Sequence, residues 1–228
     1  MERPPVLIVN YKTYNTGIGR QGLEIAKGAE HISRDYNVEI MLAVPYTMIP
    51  VLSGSVSIPI LAQHVDPLEP GRGTGFVTVE AIRDAGAKGS LINHSEHRVT
   101  LADAQIAIKR LKESGLLSVG CGDTPEAAGS IGLLGADIIA VEPPELIGTG
   151  ISVSKAKPEV VTAAIALIKE RLQLNVPVLV GAGITHKDDA RRSIELGADG
   201  ILVASAVMKA EDPVGKIKEL AEGLIGKA

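Results

Sequence analysis

Three side chains of different acid–base chemistry each follow a short apolar segment of the chain: Lys12, His94 and Glu142. A carboxylate at the end of a buried strand loses water, so its pKa rises toward the range of a general base. Ser95 and Glu96 indicate the beginning of a helix, whose positive end would keep the His94 imidazole neutral at pH 7. A lysine can stabilise a developing negative charge. The combination predicts proton transfer next to a carbonyl group, a reaction that needs no metal and no cofactor.

Small residues follow the last two apolar segments, at Gly181-Ala182-Gly183 and at Ala204-Ser205. Small side chains let backbone N–H groups approach an anion, and the helical stretch after Ala204 adds its positive end. These residues predict a phosphate site, with tight turn packing as the alternative. Two prolines and then Gly148-Thr149-Gly150 follow Glu142, and this order predicts a hinged lid that closes over the phosphate.

Eight apolar, β-branched segments separated by helical patterns must bring these residues together. The segments are continuous rather than alternating, which is typical of parallel strands covered on both faces. They are 6–9, 39–44, 59–62, 90–92, 116–119, 137–141, 178–180 and 200–203. The helix that ends near Gly115 has Leu101, Ala104, Ile108 and Leu111 on one face.

A repeated tripeptide supports this count of strands. Gly86-Ala87-Lys88, Gly135-Ala136-Asp137 and Gly197-Ala198-Asp199 each lie between a helix and a strand. About eight such units predict an α/β fold, a (β/α)8 barrel of parallel strands with outer helices, in a single domain over residues 1–228. A doubly wound open sheet is the alternative, but no G-x-G-x-x-G follows the first strand. In a barrel, Lys12, His94 and Glu142 share the C-terminal rim, where catalysis occurs.

Composition narrows the possible partners. The chain has 228 residues, a net charge of −4 and no long run of one charge sign, which argues against nucleic acid as the main partner. No apolar run approaches the ~18–20 residues of a membrane span, and the N-terminus lacks the apolar core of a signal peptide. The single cysteine, Cys121, provides neither a disulfide nor a metal cluster. We therefore expect a cytoplasmic protein without a membrane partner or a metal site.

Three short motifs together resemble the triosephosphate isomerase family in order and spacing. They are Asn10-Tyr11-Lys12, His94-Ser95-Glu96, and Glu142-Pro143 followed by Ile147-Gly148-Thr149-Gly150. The segment Gly71-Arg72-Gly73-Thr74-Gly75 is similar to the loop after that family's third strand. The resemblance extends from Asn10 to about Lys209, and it implies the TIM-barrel fold.

This resemblance implies the interconversion of dihydroxyacetone phosphate and D-glyceraldehyde 3-phosphate, in glycolysis and gluconeogenesis. It makes Glu142 the proton acceptor, His94 the electrophile and Lys12 a catalytic cation that contacts the substrate and pairs with Glu96. The remaining substrate contacts that it implies are Asn10, backbone N–H groups of Gly148, Gly183, Ala204 and Ser205, and Ile147 on the lid.

The chain departs from the usual family pattern at several points. Pro144-Glu145 replaces an early tryptophan of the lid, Gly181-Ala182-Gly183-Ile184 replaces Tyr-Gly-Gly-Ser, Ala204-Ser205 replaces two glycines, and Asn93 replaces a glycine. With these changes the chain resembles the compact archaeal-type branch of the family. The resemblance implies a tetramer built from two dimers. We therefore expect a homotetramer, with interfaces at the loop Gly71–Thr78 and around Val160 and Leu167.

Two other functions remain open from the sequence. Gly197-Ala198-Asp199-Gly200-Ile201 is common in other phosphate-binding barrels, such as isomerases and lyases of amino-acid biosynthesis. The second alternative function is that of a non-catalytic barrel that binds a phosphorylated metabolite and regulates a partner. Neither alternative requires Lys12, His94 and Glu142 at one rim.

Overall fold

The computed structural model describes residues 3–143 and 153–226 of the chain. Within these ranges eight parallel strands close into a barrel, in which each strand pairs with the next and the first pairs with the last. The strands are β1 (Val6–Asn10), β2 (Glu39–Val44), β3 (Ile60–Ala62), β4 (Gly89–Ile92), β5 (Leu117–Gly122), β6 (Ile138–Val141), β7 (Val178–Val180) and β8 (Gly200–Val203). The predicted (β/α)8 barrel is confirmed, and the open doubly wound sheet is wrong.

Helices lie between the strands and cover the outside of the barrel. In the described residues they are α1 (Gly19–Tyr36), α2 (Ile49–Ser53), α3 (Val79–Asp84), α4 (Leu101–Glu113), α5 (Pro125–Leu133), α6 (Val153–Ala156), α7 (Pro158–Ile165), α8 (Lys187–Glu195), α9 (Ser205–Met208) and α10 (Pro213–Leu224). Short 3-10 helices occur at Asn15–Gly17 and Tyr46–Met48, and a π-helical segment, Ala166–Arg171, continues α7. No helix in the described part is long and apolar enough to cross a membrane.

Alternation of side chains explains why the strands are apolar throughout. Val6 and Ile8 of β1 belong to a cluster with Met41, Leu91 and other strand residues that fills the barrel. Leu7 and Val9 instead join the large outer cluster, in which strands pack against helices. Because successive side chains point to opposite faces, both faces of each strand are buried.

The repeated Gly-Ala-x tripeptide ends a helix and starts a strand. Gly86, Gly135 and Gly197 have φ values of +97°, +94° and +95°, in the left-handed region where glycine ends a helix without strain. The alanines that follow are buried. At the third position, Asp137 Oδ2 accepts the backbone N–H of Ser118 at 2.8 Å. Asp199 Oδ2 likewise accepts the N–H of Val178 at 2.7 Å. The two aspartates thus fasten the neighbouring strands β5 and β7 at the N-terminal rim.

One predicted helix face needs correction. Ala104, Ile108 and Leu111 of α4 are buried as expected, but Leu101 is 57% exposed. Leu101 is the first residue of α4, directly after the N-cap Thr100, and its side chain therefore lies beyond the part of the helix that packs on the barrel.

Candidate active site

Asn10 and Gln63 hold Lys12 just after the end of β1. Lys12 has a φ of +45°, a left-handed conformation that is uncommon for residues other than glycine. Its backbone N–H donates to Asn10 Oδ1 at 2.9 Å, and its carbonyl oxygen accepts from Gln63 Nε2 at 3.0 Å. Gln63 Nε2 also lies 3.2 Å from Asn10 Oδ1. Side chains from the ends of β1 and β3 therefore fix a strained backbone, as functional sites often require.

The Lys12 ammonium group pairs with Glu96. Lys12 Nζ donates to Glu96 Oε1 at 2.8 Å, which confirms the predicted contact. The lysine side chain is only 14% exposed, whereas that of Glu96 is 57% exposed. The pair therefore bridges the end of β1 and the segment after β4, and it aims the cation at the C-terminal rim of the barrel.

The segment after His94 is a turn, so the predicted helix start at Ser95-Glu96 is wrong. The His97 N–H donates to the His94 carbonyl oxygen at 2.7 Å, which closes one turn. The helix α4 begins only at Leu101, where Thr100 Oγ1 accepts the N–H of Asp103 at 3.1 Å. A threonine hydroxyl can accept a hydrogen bond from a free N–H group of the first helical turn, so Thr100 caps α4 and defines its start.

His94 is nevertheless neutral, and burial is the main cause. The residue is 5% exposed. Burial and the nearby Lys12 charge lower the pKa of His94 to about 4, against the opposing effect of Glu96. The backbone N–H of Glu96 donates to His94 Nδ1 at 3.2 Å, so Nδ1 carries the lone pair and Nε2 carries the proton. The imidazole can therefore donate a hydrogen bond from Nε2.

Asn93 fits the tight entry to this turn, where the resemblance noted from the sequence implies a glycine. Its φ of +60° lies in the left-handed region, which asparagine tolerates better than most residues. Asn93 Nδ2 donates to the Cys121 carbonyl oxygen at 3.1 Å, and Asn93 Oδ1 accepts the N–H of Val99 at 3.1 Å. The asparagine therefore replaces glycine and adds two contacts that close the turn.

Glu142 directly follows β6 and faces His94. Its carboxyl group is almost inaccessible, and burial raises the pKa of Glu142 to about 7, while Lys12 opposes this shift. Glu142 Oε2 lies 3.4 Å from His94 Nε2, and neither atom has a hydrogen-bond partner in the described part of the chain. A Cβ on Gly181 would collide with the Glu142 side chain, so the glycine after β7 makes room for the carboxylate.

The predicted phosphate residues lie beyond the ends of β7 and β8. Ala182 and Gly183 have φ values of +71° and +70°. Ala204 precedes the four-residue helix α9, which starts at Ser205. The other predicted contacts, Ile147 and Gly148, lie outside the described residues, as do the lid residues 144–150 in general.

Sequence reasoning missed the roles of two residues of this rim. Gln63 braces Lys12, and Gly181 accommodates Glu142; both act across strands that are distant in sequence. Their signal was only a polar residue or a glycine after an apolar segment. In the described residues no cluster of His, Cys, Asp or Glu could hold a metal ion.

The fold and this rim define the class of the protein: a (β/α)8 barrel with a buried acid–base pair and a lysine at the C-terminal ends of its strands. A sequence profile described as triosephosphate isomerase matches residues 5–222. The chain belongs to the triosephosphate isomerase family. This membership confirms the predicted family and its activity, an isomerase of triose phosphates.

Curated relatives support the same conclusion over nearly the whole chain. The triosephosphate isomerase of Metallosphaera sedula is 48% identical, with 97% of this chain and 96% of the relative covered. That of Methanocaldococcus jannaschii is 46% identical, with 94% and 98% covered. Both organisms are archaea, as the resemblance to the archaeal-type branch predicts. The crystal structure of the Bartonella henselae enzyme matches the fold with a TM-score of 0.76 at 18% identity, covering 96% of this chain and 98% of that one.

Proposed function

We propose that this chain interconverts dihydroxyacetone phosphate and D-glyceraldehyde 3-phosphate through an enediolate, with Glu142 as the base and His94 as the electrophile. One observation carries these roles. A carboxylate with a raised pKa and an imidazole with a lowered pKa face each other at 3.4 Å, both buried and without a described hydrogen-bond partner. Buried polar groups without partners are rare in folded proteins, and hydrogen bonds to a bound substrate would satisfy both.

The proton transfers follow from the charge state of each group. Glu142, once ionised, takes the proton from the carbon next to the carbonyl group and returns it to the neighbouring carbon. His94 donates from Nε2 to the carbonyl oxygen, and its neutral ring can move a proton between the two substrate oxygens. Lys12 stabilises the negative charge that develops on the enediolate. A neutral imidazole suits this task because its remaining proton is weakly acidic, close to that of an enediol.

The substrate phosphate would bind beyond β7 and β8. Backbone N–H groups of Gly183, Ala204 and Ser205 would receive it, and Gly148 and Ile147 of the lid would complete the site. Asn10 would contact the substrate beside Lys12, from the position in which it already holds the lysine backbone. The small residues at this rim leave the backbone accessible to an anion, and this supports the assignment.

A coupled assay on the purified protein tests the proposal. Wild-type protein should turn over D-glyceraldehyde 3-phosphate. Glu142→Asp should lower kcat about 100-fold or more, because a base moved by ~1 Å loses its alignment with the substrate carbon. Glu126→Asp, the same change on the exposed start of α5, is the matched control and should leave kcat unchanged. An unchanged rate in Glu142→Asp would show that another group is the base.

We further propose a cytoplasmic homotetramer built from two dimers. Phe76, at the end of the glycine-rich loop after β3, is 57% exposed, and this supports a first interface at that loop. Val160 and Leu167 are each half-buried, and Leu167 packs near Gly129 of α5. Larger exposed apolar side chains lie on α4 and α5: Leu101, Ile106 and Leu133. These residues, rather than Val160 and Leu167, support the place of the second interface.

A further inference from the structure

Two histidines that the proposed reaction does not use form a stacked pair beside the active site. The rings of His64 and His97 have centroids 3.8 Å apart and planes inclined by 17°. His64 follows β3 and is buried, whereas His97 lies three residues after His94 and is exposed. Nothing in the sequence around His97 points to a partner 33 residues away.

His64 connects the stack to the base of the glycine-rich loop. Its Nε2 lies 3.3 Å from Asp66 Oδ1. The other oxygen of Asp66 accepts the N–H of Val77 at 2.7 Å, and the Asp66 N–H donates to the Val77 carbonyl oxygen at 2.8 Å. These two bonds close the loop at its base. His64 is therefore fixed to a rigid part of the segment after β3, next to Gln63, which holds Lys12.

His97 belongs to the turn that carries His94 and Glu96. Towards β5 the turn is held by Asn93, which bonds the Cys121 carbonyl oxygen, and by Arg98, whose guanidinium lies 2.6 Å from Asp123. Towards β3 the turn is held by the stack, and towards β1 by the Lys12–Glu96 pair. The Glu96 side chain is 57% exposed and cannot anchor the turn alone, because exposed ion pairs contribute little.

We propose that the His64–His97 stack is a positioning pair: it holds the His94–Glu96 turn against Gln63 and Lys12, and it does so only while the two rings carry at most one proton between them. The inference rests on the proposed roles of His94 and Lys12. One imidazolium can stack on a neutral ring, but two positive rings at 3.8 Å repel each other.

The groups around the two histidines determine how readily both rings become protonated. Asp66 faces His64 and favours its protonated form, while burial and His97 disfavour it more strongly, so the pKa of His64 is lowered. The Tyr46 hydroxyl donates to the His64 carbonyl oxygen at 2.9 Å, and it remains neutral because burial raises its pKa to about 12. Glu96 and Arg98 flank His97 in sequence, and each is already paired, with Lys12 and Asp123. His64 therefore binds a proton less readily than a free imidazole does, which keeps the stack from carrying two protons except in acid.

Two substitutions at the exposed ring separate stacking from titration. His97→Ala removes the stack, and at pH 8 kcat should fall about tenfold while KM changes less than about twofold, because the phosphate is held by other loops. His97→Phe keeps an aromatic ring without a titratable group, and it should restore kcat to within about threefold of wild type. His31→Ala, on the exposed face of α1, is the matched control and should change neither constant.

The pH dependence of activity then tests whether the stack is lost when both rings are protonated. The ratio of kcat/KM of wild type to that of His97→Phe should be constant above pH 7 and fall about tenfold per pH unit once the second proton binds. The titrations of Glu142 and of the substrate phosphate cancel in this ratio, and circular dichroism at each pH excludes unfolding. An unchanged kcat in His97→Ala, an equal loss in His97→Phe, or a constant ratio down to pH 5 would each overturn the inference. Absent wild-type turnover would instead count against the proposed function.

Discussion

Burial acts on Glu142 and His94 in opposite directions, since it penalises the charged form of each. The pKa of the carboxyl group rises to about 7, and that of the imidazole falls to about 4. Near neutral pH the site can therefore hold an ionised base next to a neutral donor. The desolvation that shifts both pKa values also reduces the stability of the folded chain, because the charged form of each group has a lower free energy in the unfolded state.

Glu142 should destabilise the protein in a defined pH window. Its folded pKa is raised from 4.5 to about 7, so stability is lost as pH rises from 4.5 to 7 and the loss is complete above 7. A shift of this size corresponds to about 3 kcal/mol. Glu142→Gln should therefore increase the free energy of unfolding by about 3 kcal/mol at pH 8, and by less than about 1 kcal/mol at pH 5. Urea unfolding at one protein concentration measures both values.

The control for this experiment is Glu126→Gln, an amide in place of an exposed carboxylate on α5. It should change stability little at either pH. Equal stabilisation by Glu142→Gln at pH 5 and pH 8 would mean that side-chain packing, and not the buried charge, explains the gain.

Sequence patterns predicted the reacting side chains but only part of their setting. Lys12, His94 and Glu142 could be predicted because each is a polar residue that follows an apolar segment. Neutral His94 was predicted for the wrong reason, since burial replaces the expected helix end. The roles of Gln63 and Gly181 were missed because their contacts depend on side chains that other strands bring to the rim. Such contacts have no local signature in the chain.

At the scale of elements, the two ends of the barrel have separate tasks. Loops after the strands carry Lys12, His94 and Glu142, while the connections before the strands carry the Gly-Ala-x repeat. In this barrel the aspartates of the repeat bond backbone N–H groups of neighbouring strands. Conservative changes at that end should therefore alter stability and leave catalysis intact.

Asp137→Ala tests this separation. Asp137 Oδ2 accepts both the N–H and the Oγ–H of the buried Ser118, at 2.8 and 2.7 Å. Removing the carboxylate leaves a buried N–H without its partner, so the free energy of unfolding should fall by about 1–3 kcal/mol. Activity per folded molecule at 25 °C should not change.

The first copy of the repeat, which has a lysine in place of the aspartate, supplies the control. Lys88 occupies the same position, is exposed, and makes its strand contacts through its backbone. Lys88→Ala should therefore change stability by less than about 0.5 kcal/mol. A loss of kcat in Asp137→Ala, with stability unchanged, would contradict the division between the two ends.

The strand β5 is longer than its sequence pattern predicts. The fifth segment was expected at 116–119, but β5 continues from Leu117 through Gly122. Glycine is depleted in strands, so Gly120-Cys121-Gly122 gave no strand signal. Both glycines are needed there: a Cβ on Gly120 would collide with Ile131, and one on Gly122 with Ala128. Close packing of α5 on β5, rather than β propensity, determines these residues.

At the scale of the whole molecule, exposed apolar side chains support the proposed assembly. Phe76 is the single phenylalanine of the chain, and it is more than half exposed on a loop. Leu133 at the end of α5 is 62% exposed, and Ile106 of the neighbouring α4 is 45% exposed. Isolated exposed leucines are common, but apolar groups on two adjacent elements favour an interface. The two regions lie on different elements, which fits a dimer of dimers with two kinds of contact.

Leu133→Lys should dissociate the proposed tetramer into dimers. A charge buried in an apolar interface without a partner costs several kcal/mol, enough to break a modest contact at micromolar concentration. Light scattering measures the mass, which should fall by about half, while kcat stays near the wild-type value because Leu133 ends α5, at the end of the barrel opposite to Lys12, His94 and Glu142. Gln21→Lys places the same charge on the exposed face of α1 and should leave the mass unchanged. A wild-type protein that is already dimeric, or a tetramer that persists in Leu133→Lys, would refute this second interface while leaving the loop after β3 as the remaining contact.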